Sequence, residues 1–283
     1  MGRISNTIAL AKSSWAVLRS DTELLWLPLI SGLASLLVAA SFLVPIYLSA
    51  GAADALQTGE VSLGPAQYAA LFLMYLVLSF ITVFFNAALI SGANERLGGG
   101  DPSLRSALAG AARHLGPIAA WSVVAAVVST VLRAIEERSG LIGRLVVGVI
   151  GLAWTLVTFL VLPAIVIEGV GVRDAFRRST ELFKGTWGER VAANVGFGLL
   201  WLVGVLPAIA LVVLASFSGS PVVIGAAAGL AVVGLIVLGV IISGLSGVFQ
   251  TALYHYAATG RAPGQAFNQA QLADSFRPRT GRR

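Results

Sequence analysis

The charged residues of this chain fall in clusters, and the gaps between the clusters decide what it can fold into. No Asp, Glu, Lys or Arg occurs from Leu24 to Ala53, from Val61 to Asn94, from Leu115 to Leu132 or from Leu145 to Ile167. The run from Val191 to Gly260 is longer still, with only His255 interrupting it. A helix crosses the hydrocarbon core of a bilayer in about 20 residues. The first four gaps therefore hold one span each. The last holds two, divided at the turn-like Ser216-Phe217-Ser218-Gly219-Ser220-Pro221. Six transmembrane helices are predicted, at 24–48, 67–92, 116–134, 145–167, 192–215 and 222–250. Each must satisfy its own backbone in lipid, and the run lengths favour helix over barrel strand.

Composition agrees. Hydrophobic residues make up 57% of the chain and charged residues 11%, against about 25% charged in a soluble domain. These values exclude an ordinary soluble enzyme, a disordered chain and a disulfide scaffold. There is no cysteine, hence no disulfide, thiolate nucleophile or iron–sulfur ligand. The expected fold class is all-α: a polytopic membrane helical bundle forming one domain over 1–262, with a polar, disordered cytoplasmic tail over 263–283. The segment before the first apolar run contains acids, and that run is too long for a signal-peptide core, so it reads as a span.

Orientation follows from the basic residues. Arg3, Lys12 and Arg19 precede span 1. Arg96, Arg105 and Arg113 lie in 93–115, and Arg173, Arg177, Arg178, Lys184 and Arg190 in 168–190. The tail adds Arg261, Arg277, Arg279, Arg282 and Arg283, which makes sixteen on one side. The other side has three, Arg133, Arg138 and Arg144. This bias places both termini in the cytoplasm of a cell (inner) membrane protein. Seventeen Arg against two Lys, with abundant Ala and Gly, suggests a bacterial source.

Three cytoplasmic segments have helical apolar stripes. They are Ile4, Ile8, Ala11, Trp15 and Leu18; Leu104, Ala107, Leu108, Ala111 and Leu115; and Val172, Ala175, Phe176, Ser179, Leu182 and Phe183. Amphipathic helices are expected at 3–19, 102–114 and 172–184, lying in the headgroup plane. Asp101 and Pro102 read as N-cap and first residue of the second, and Gly185 as the stop of the third. Each helix precedes two spans, a pattern consistent with a threefold repeat, and Ser14…Leu18-Arg19 aligns with Ser179…Phe183-Lys184. Short cytoplasmic loops of membrane proteins are also often basic and amphipathic without any repeat.

Two stretches carry a resemblance. One is Asn6-Thr7-Ile8-Ala9-Leu10-Ala11-Lys12-Ser13-Ser14-Trp15-Ala16-Val17-Leu18-Arg19, leading into Leu24-Leu25-Trp26-Leu27-Pro28-Leu29-Ile30-Ser31-Gly32. The other combines Leu162-Pro163-Ala164-Ile165-Val166-Ile167-Glu168, Ala175-Phe176-Arg177-Arg178-Ser179 and Leu182-Phe183-Lys184-Gly185-Thr186-Trp187-Gly188. Together they resemble an uncharacterised family of six-span prokaryotic membrane proteins, known only as a domain of unknown function. The second stretch is also similar to the membrane domain of some glycerophosphodiester phosphodiesterases. The soluble barrel and metal carboxylates of those enzymes are missing here, so the resemblance implies an architecture and no reaction.

The residues themselves point away from catalysis. Gly244-Leu245-Ser246-Gly247 looks like an intramembrane serine protease motif, but His255 lies nine residues further along, about 13 Å in helical rise. Close helix packing explains those small residues. Gly98-Gly99-Gly100-Asp101 lacks the Lys and Ser/Thr of a nucleotide loop and reads as a connector. No catalytic residue, metal site or cofactor is expected. No ionisable residue sits near mid-membrane, where a proton-coupled transporter usually keeps one. Asn86, Asn194 and Gln250 are the polar residues of the spans, and Asn86 is the candidate for an interhelical hydrogen bond or a substrate contact. Glycines of spans 4 to 6, among them Gly148, Gly151, Gly225, Gly229, Gly234 and Gly247, are expected to face neighbouring helices. Pro28, Pro45, Pro163 and Pro207 are expected to kink or end theirs.

The expected function is that of a non-enzymatic multi-pass membrane protein that organises or binds lipid, or scaffolds a protein partner, through its basic helices. The alternative is a transporter or channel for a neutral or lipid-like solute. Arg173, Arg177, Arg178 and Lys184 are the candidate lipid- or anion-binding residues. The expected partners are membrane lipids, anionic ones among them, and not nucleic acid.

Overall fold

The computed structural model describes residues 3–49, 63–187, 197–263 and 267, and among them every regular element is a helix. Helix α1 is Arg3–Ser20, followed by a 3-10 turn over Thr22–Leu25 and α2 over Trp26–Ser49. Helix α3 is Pro65–Leu97, α4 Leu104–Ala112 and α5 Leu115–Arg138. Helix α6 is Leu141–Thr158, continued after an interruption by Val161–Pro163 and a π-helical turn, Ala164–Glu168. Helix α7 is Val172–Trp187, α8 Phe197–Ser216 and α9 Pro221–Thr259.

Local chemistry sets these boundaries. Pro65 and Pro221 sit in the first turns of α3 and α9, where a missing N–H costs nothing. Ser103, not Asp101, caps α4: its side chain accepts from the Ser106 N–H, and Ser106 accepts from the Ser103 N–H. Asp101 instead extends into solvent toward Arg96. Gly185 does not stop α7, which runs on to Trp187. Gly169 and Gly260 end their helices with φ near +70°, where a Cβ would be strained.

Among the described residues five helices are long and apolar enough to cross a membrane: Thr22–Ser49, Pro65–Leu97, Leu115–Arg138, Gly143–Glu168 and Pro221–Thr259. Helix α8 occupies the place of the remaining expected span, and its Gly204–Ser216 stretch forms a shorter apolar helix. The start of that expected span, 192–196, lies outside the described residues. The expected tail does too, apart from its first residue, Pro263, and Phe267, whose ring is buried in the core.

The core sits at one end of the bundle. It gathers Val17 and Leu18 of α1, Leu24 and Leu27, the stretch from Ala87 to Leu97, Leu160 to Ile165, and Leu245 to Tyr254. At the opposite end the helices present apolar side chains outward, with Leu37 73%, Leu145 73% and Val222 80% exposed. In water such faces would aggregate, whereas acyl chains cover them without penalty.

Packing around the core is cyclic. Helix α1 packs mainly on α9, α4 on α3, and α7 on α6 with its broken end. Each amphipathic helix therefore rests on the second long helix of the preceding helix–span–span unit, and α1 closes the ring onto the last. The register is visible in the side chains. Leu104-Arg105-Ser106-Ala107-Leu108 of α4 corresponds to Val172-Arg173-Asp174-Ala175-Phe176 of α7. Ala107 and Ala175 are fully buried, as are the small residues four positions on, Ala111 and Ser179, together with Ser14 of α1. The inward face of α1 is thus Ser14, Val17 and Leu18, while Trp15, expected in the stripe, faces outward. Leu115 is likewise exposed and belongs to α5.

Only some of the glycines bring helices together. A Cβ on Gly247 would meet Leu89, one on Gly244 would meet Leu18 and Leu25, and one on Gly204 would meet Leu238. Gly148, Gly151, Gly225, Gly229 and Gly234 have open space around them. They lie toward the end of the bundle where the helices do not press together, which corrects the expectation of glycine contacts there.

Candidate functional site: a polar junction on the broken helix

Pro163 has no N–H, so the carbonyl of Phe159, four residues earlier, loses its helical donor. Gln250 of α9 supplies the replacement, its Nε2 donating to Phe159 O. Ser179 of α7 donates its hydroxyl to the carbonyl of Val157, just before the interruption. Irregular backbone within a membrane-embedded helix survives only where protein satisfies it. Here α7 and α9 do so, and both donors are buried. Helices α2 and α8 run on through Pro45 and Pro207.

The interruption carries the helix into the π turn, which ends at Glu168. From α7, Arg178 Nε donates to Glu168 Oε1 at 3.0 Å. This bond raises the guanidinium pKa further above its usual range, against the opposing effect of burial. The buried Tyr254 hydroxyl faces the pair from α9 and adds a smaller share, without completing a hydrogen bond of ordinary geometry. At the next residue of α9, His255 Nε2 and Asn94 Oδ1 of α3 lie 2.6 Å apart. Trp154 of α6 lies between Trp121 of α5 and Phe176 of α7, with ring centroids 6.0 and 6.1 Å away. Four helices thus meet at the core end through polar groups that are buried or half-buried except at the Arg178–Glu168 pair, whose side chains are 37% and 31% exposed.

A second polar contact ties the N-terminal part to α3. Asp21 is buried and pairs with Arg96 at 2.9 Å, and Arg96 also donates to Ser20 Oγ and to the Gly100 carbonyl. The glycine loop is therefore a closed connector. Burial holds the Asp21 carboxyl above the usual carboxylate range, with Arg96 and Ser20 pulling it back.

The four basic candidates of α7 separate. Arg173 and Arg177 lie on the exposed face, and Arg177 makes a solvated pair with Glu181 at 3.3 Å. Arg178 is turned inward to Glu168. The backbone at Lys184 is helical, and its side chain lies outside the described residues. Asn86 is half-buried in α3, beside Phe84 and Phe85; Asn194 is not among the described residues. Sequence reasoning missed Tyr254 and the Asn94–His255 contact. Only Pro163 followed by Glu168 hinted at a junction, because a proline in a span leaves a carbonyl that something must satisfy.

A family model described as "Family of unknown function (DUF6159)" matches residues 65–264. The chain belongs to this family. The DUF6159 match runs from the start of α3 past the end of α9 and holds the whole α6–α7–α9 junction. It includes the second of the two familiar stretches, Leu162–Gly188, and begins after the first, Asn6–Gly32. No matched family carries the similarity to glycerophosphodiester phosphodiesterase membrane domains. No curated protein and no solved structure gives a significant match. What is shown is a family of unknown function with several apolar helices compatible with a membrane protein.

Proposed function

We propose that this DUF6159 chain is a non-enzymatic, six-span inner-membrane protein with both termini cytoplasmic. In this reading it binds anionic lipid at the cytoplasmic surface, and so organises the lipid around it or presents a surface to a protein partner. The division of labour on α7 carries the reading. Ala175, Ser179 and Leu182 are buried against the bundle and Arg178 is spent on Glu168, while Arg173 and Arg177 remain on the exposed face. The Arg177–Glu181 pair is solvated, so it holds Arg177 only weakly. An arginine can grip a phosphate bidentately, which gives geometry as well as charge. The charge bias of the sequence supports placing this face on the side of an anionic leaflet.

Each surface arginine contributes about 1 kcal/mol to attraction by anionic lipid. Arg173→Gln with Arg177→Gln should therefore weaken retention by about 2 kcal/mol, roughly 30-fold. Native mass spectrometry of the purified protein with phosphatidylglycerol reads this directly. Arg178→Gln should lower stability and leave retention nearly intact. Unchanged lipid retention in the double variant would leave these arginines as topology signals alone.

A further inference from the structure

An open groove runs between the Thr22–Leu25 turn, α3 and α4, with an almost wholly apolar lining of Phe84, Leu104, Leu108 and Ala112. At its rim Arg105 is exposed and makes no ion pair among the described residues. The acid at the rim, Glu23, accepts the Leu104 N–H at 3.1 Å and so serves the start of α4. The groove sits where α4 joins two helices long and apolar enough to cross a membrane.

The internal register relates this groove to α7, and in this respect the assignment rests on the lipid reading proposed there. Arg105 occupies the position of Arg173, six residues before the buried small residue of its helix, and Leu108 occupies that of Phe176. In both helices the intervening alanine is fully buried. That fixes the rotation of each helix and puts the arginine on the outer side with an apolar residue three positions on. One arrangement, arginine over an apolar flank, thus occurs at two unit boundaries.

We infer that the α4 groove binds an anionic phospholipid, with Arg105 holding the headgroup phosphate and one acyl chain lying along Phe84, Leu104 and Leu108. The occupant follows from the chemistry. A zwitterionic lipid carries its own cation beside the phosphate and so gains less from Arg105 than an anionic one, and a soluble anion would leave the apolar floor uncovered. The inference extends the lipid reading of α7 to a separate place in the fold and has a separate readout.

The chain has no cysteine, so one introduced at Ala112, exposed at the groove, can carry a single bimane label. The labelled protein is placed in vesicles of equal parts phosphatidylglycerol and phosphatidylcholine, with bromine on the acyl chains of one or the other. Brominated phosphatidylglycerol should quench more strongly at Ala112, and both lipids equally for a label at exposed Val127 of α5. Arg105→Gln should abolish the preference and Arg105→Lys should keep part of it. Arg173→Gln with Arg177→Gln should not alter it, so failure of the α7 reading and failure of this one are distinguishable. Equal quenching at Ala112, or a preference that survives Arg105→Gln, would overturn the assignment.

Discussion

Replacing Gly247 by alanine adds one methyl group at the closest approach of α9 to α3. A Cβ there stands 2.4 Å from Leu89 Cδ2 and 2.7 Å from its Cγ. Carbon atoms in contact prefer about 3.5–4.0 Å, so roughly 1 Å must be found. Leu89 has little room to yield, being buried with Ala88 and Ile90 fully enclosed on either side. Overpacking of this kind costs about 1–3 kcal/mol. Replacing a mid-helix glycine returns about 0.5–1 kcal/mol, which leaves a net loss of about 0.5–2 kcal/mol. Gly229 lies on the same helix with nothing within 4 Å. The same substitution there meets no neighbour and should be neutral or stabilise by up to about 1 kcal/mol. Unfolding in mild detergent on titration with dodecyl sulfate, followed by tryptophan fluorescence, measures both. Leu89→Ala makes space at the contact, so Gly247→Ala should cost nothing in that background, a coupling of about 0.5–2 kcal/mol. Equal effects at Gly247 and Gly229, or no coupling to Leu89, would refute the packing described for α3 and α9.

Three further outcomes follow from the geometry. Gln250→Leu leaves the Phe159 carbonyl without a donor and should cost about 1–3 kcal/mol in the same assay; Pro163→Ala restores a backbone N–H and should recover part of that loss. Asp21 has a folded pKa above its unfolded value, so the fold binds its proton more tightly. The stability it contributes is full below about pH 4 and is lost as pH rises through the folded value. Thermal midpoints should then fall with rising pH in wild type relative to Asp21→Asn, and parallel curves would remove Asp21 as the cause. A cysteine at Ser218 should react with an impermeant reagent on whole cells while one at Ala258 should not; the reverse pattern would invert the proposed orientation.

Much of the architecture was legible because membrane spans are written in the spacing of charges. The gap from Val61 to Asn94 became α3, and the three amphipathic stripes became α1, α4 and α7. What misled was the assumption that small residues mark contacts. Gly247 and Gly229 look alike in sequence, and only the convergence of helices at one end separates them. The rotation of α1 was also hidden, because a tryptophan is the larger apolar residue whereas the packed face needs small Ser14. The candidate site was read in half. Arg177 and Arg178 are adjacent and chemically identical, but α-helical geometry turns them about 100° apart, one to solvent and one to Glu168. Gln250 was visible as a polar residue of a span, but its partner was not, since Phe159 lies 91 residues away along the chain and no local pattern encodes the contact; the placing of Tyr254 beside Glu168 and Arg178 was hidden for the same reason.

The closure of α1 onto α9 sets a schedule for biogenesis. The surface that receives Leu18 is built around Gly244, near the end of the last helix. A ribosome adding about 5–20 residues per second reaches it roughly 10–50 s after Leu18 has emerged. Until then the inner face of α1 lacks its main native partner and must be sheltered by the bilayer surface or an insertion factor. Helix α1 is thus made well before the surface it docks on, and a chain truncated before α9 would strand it.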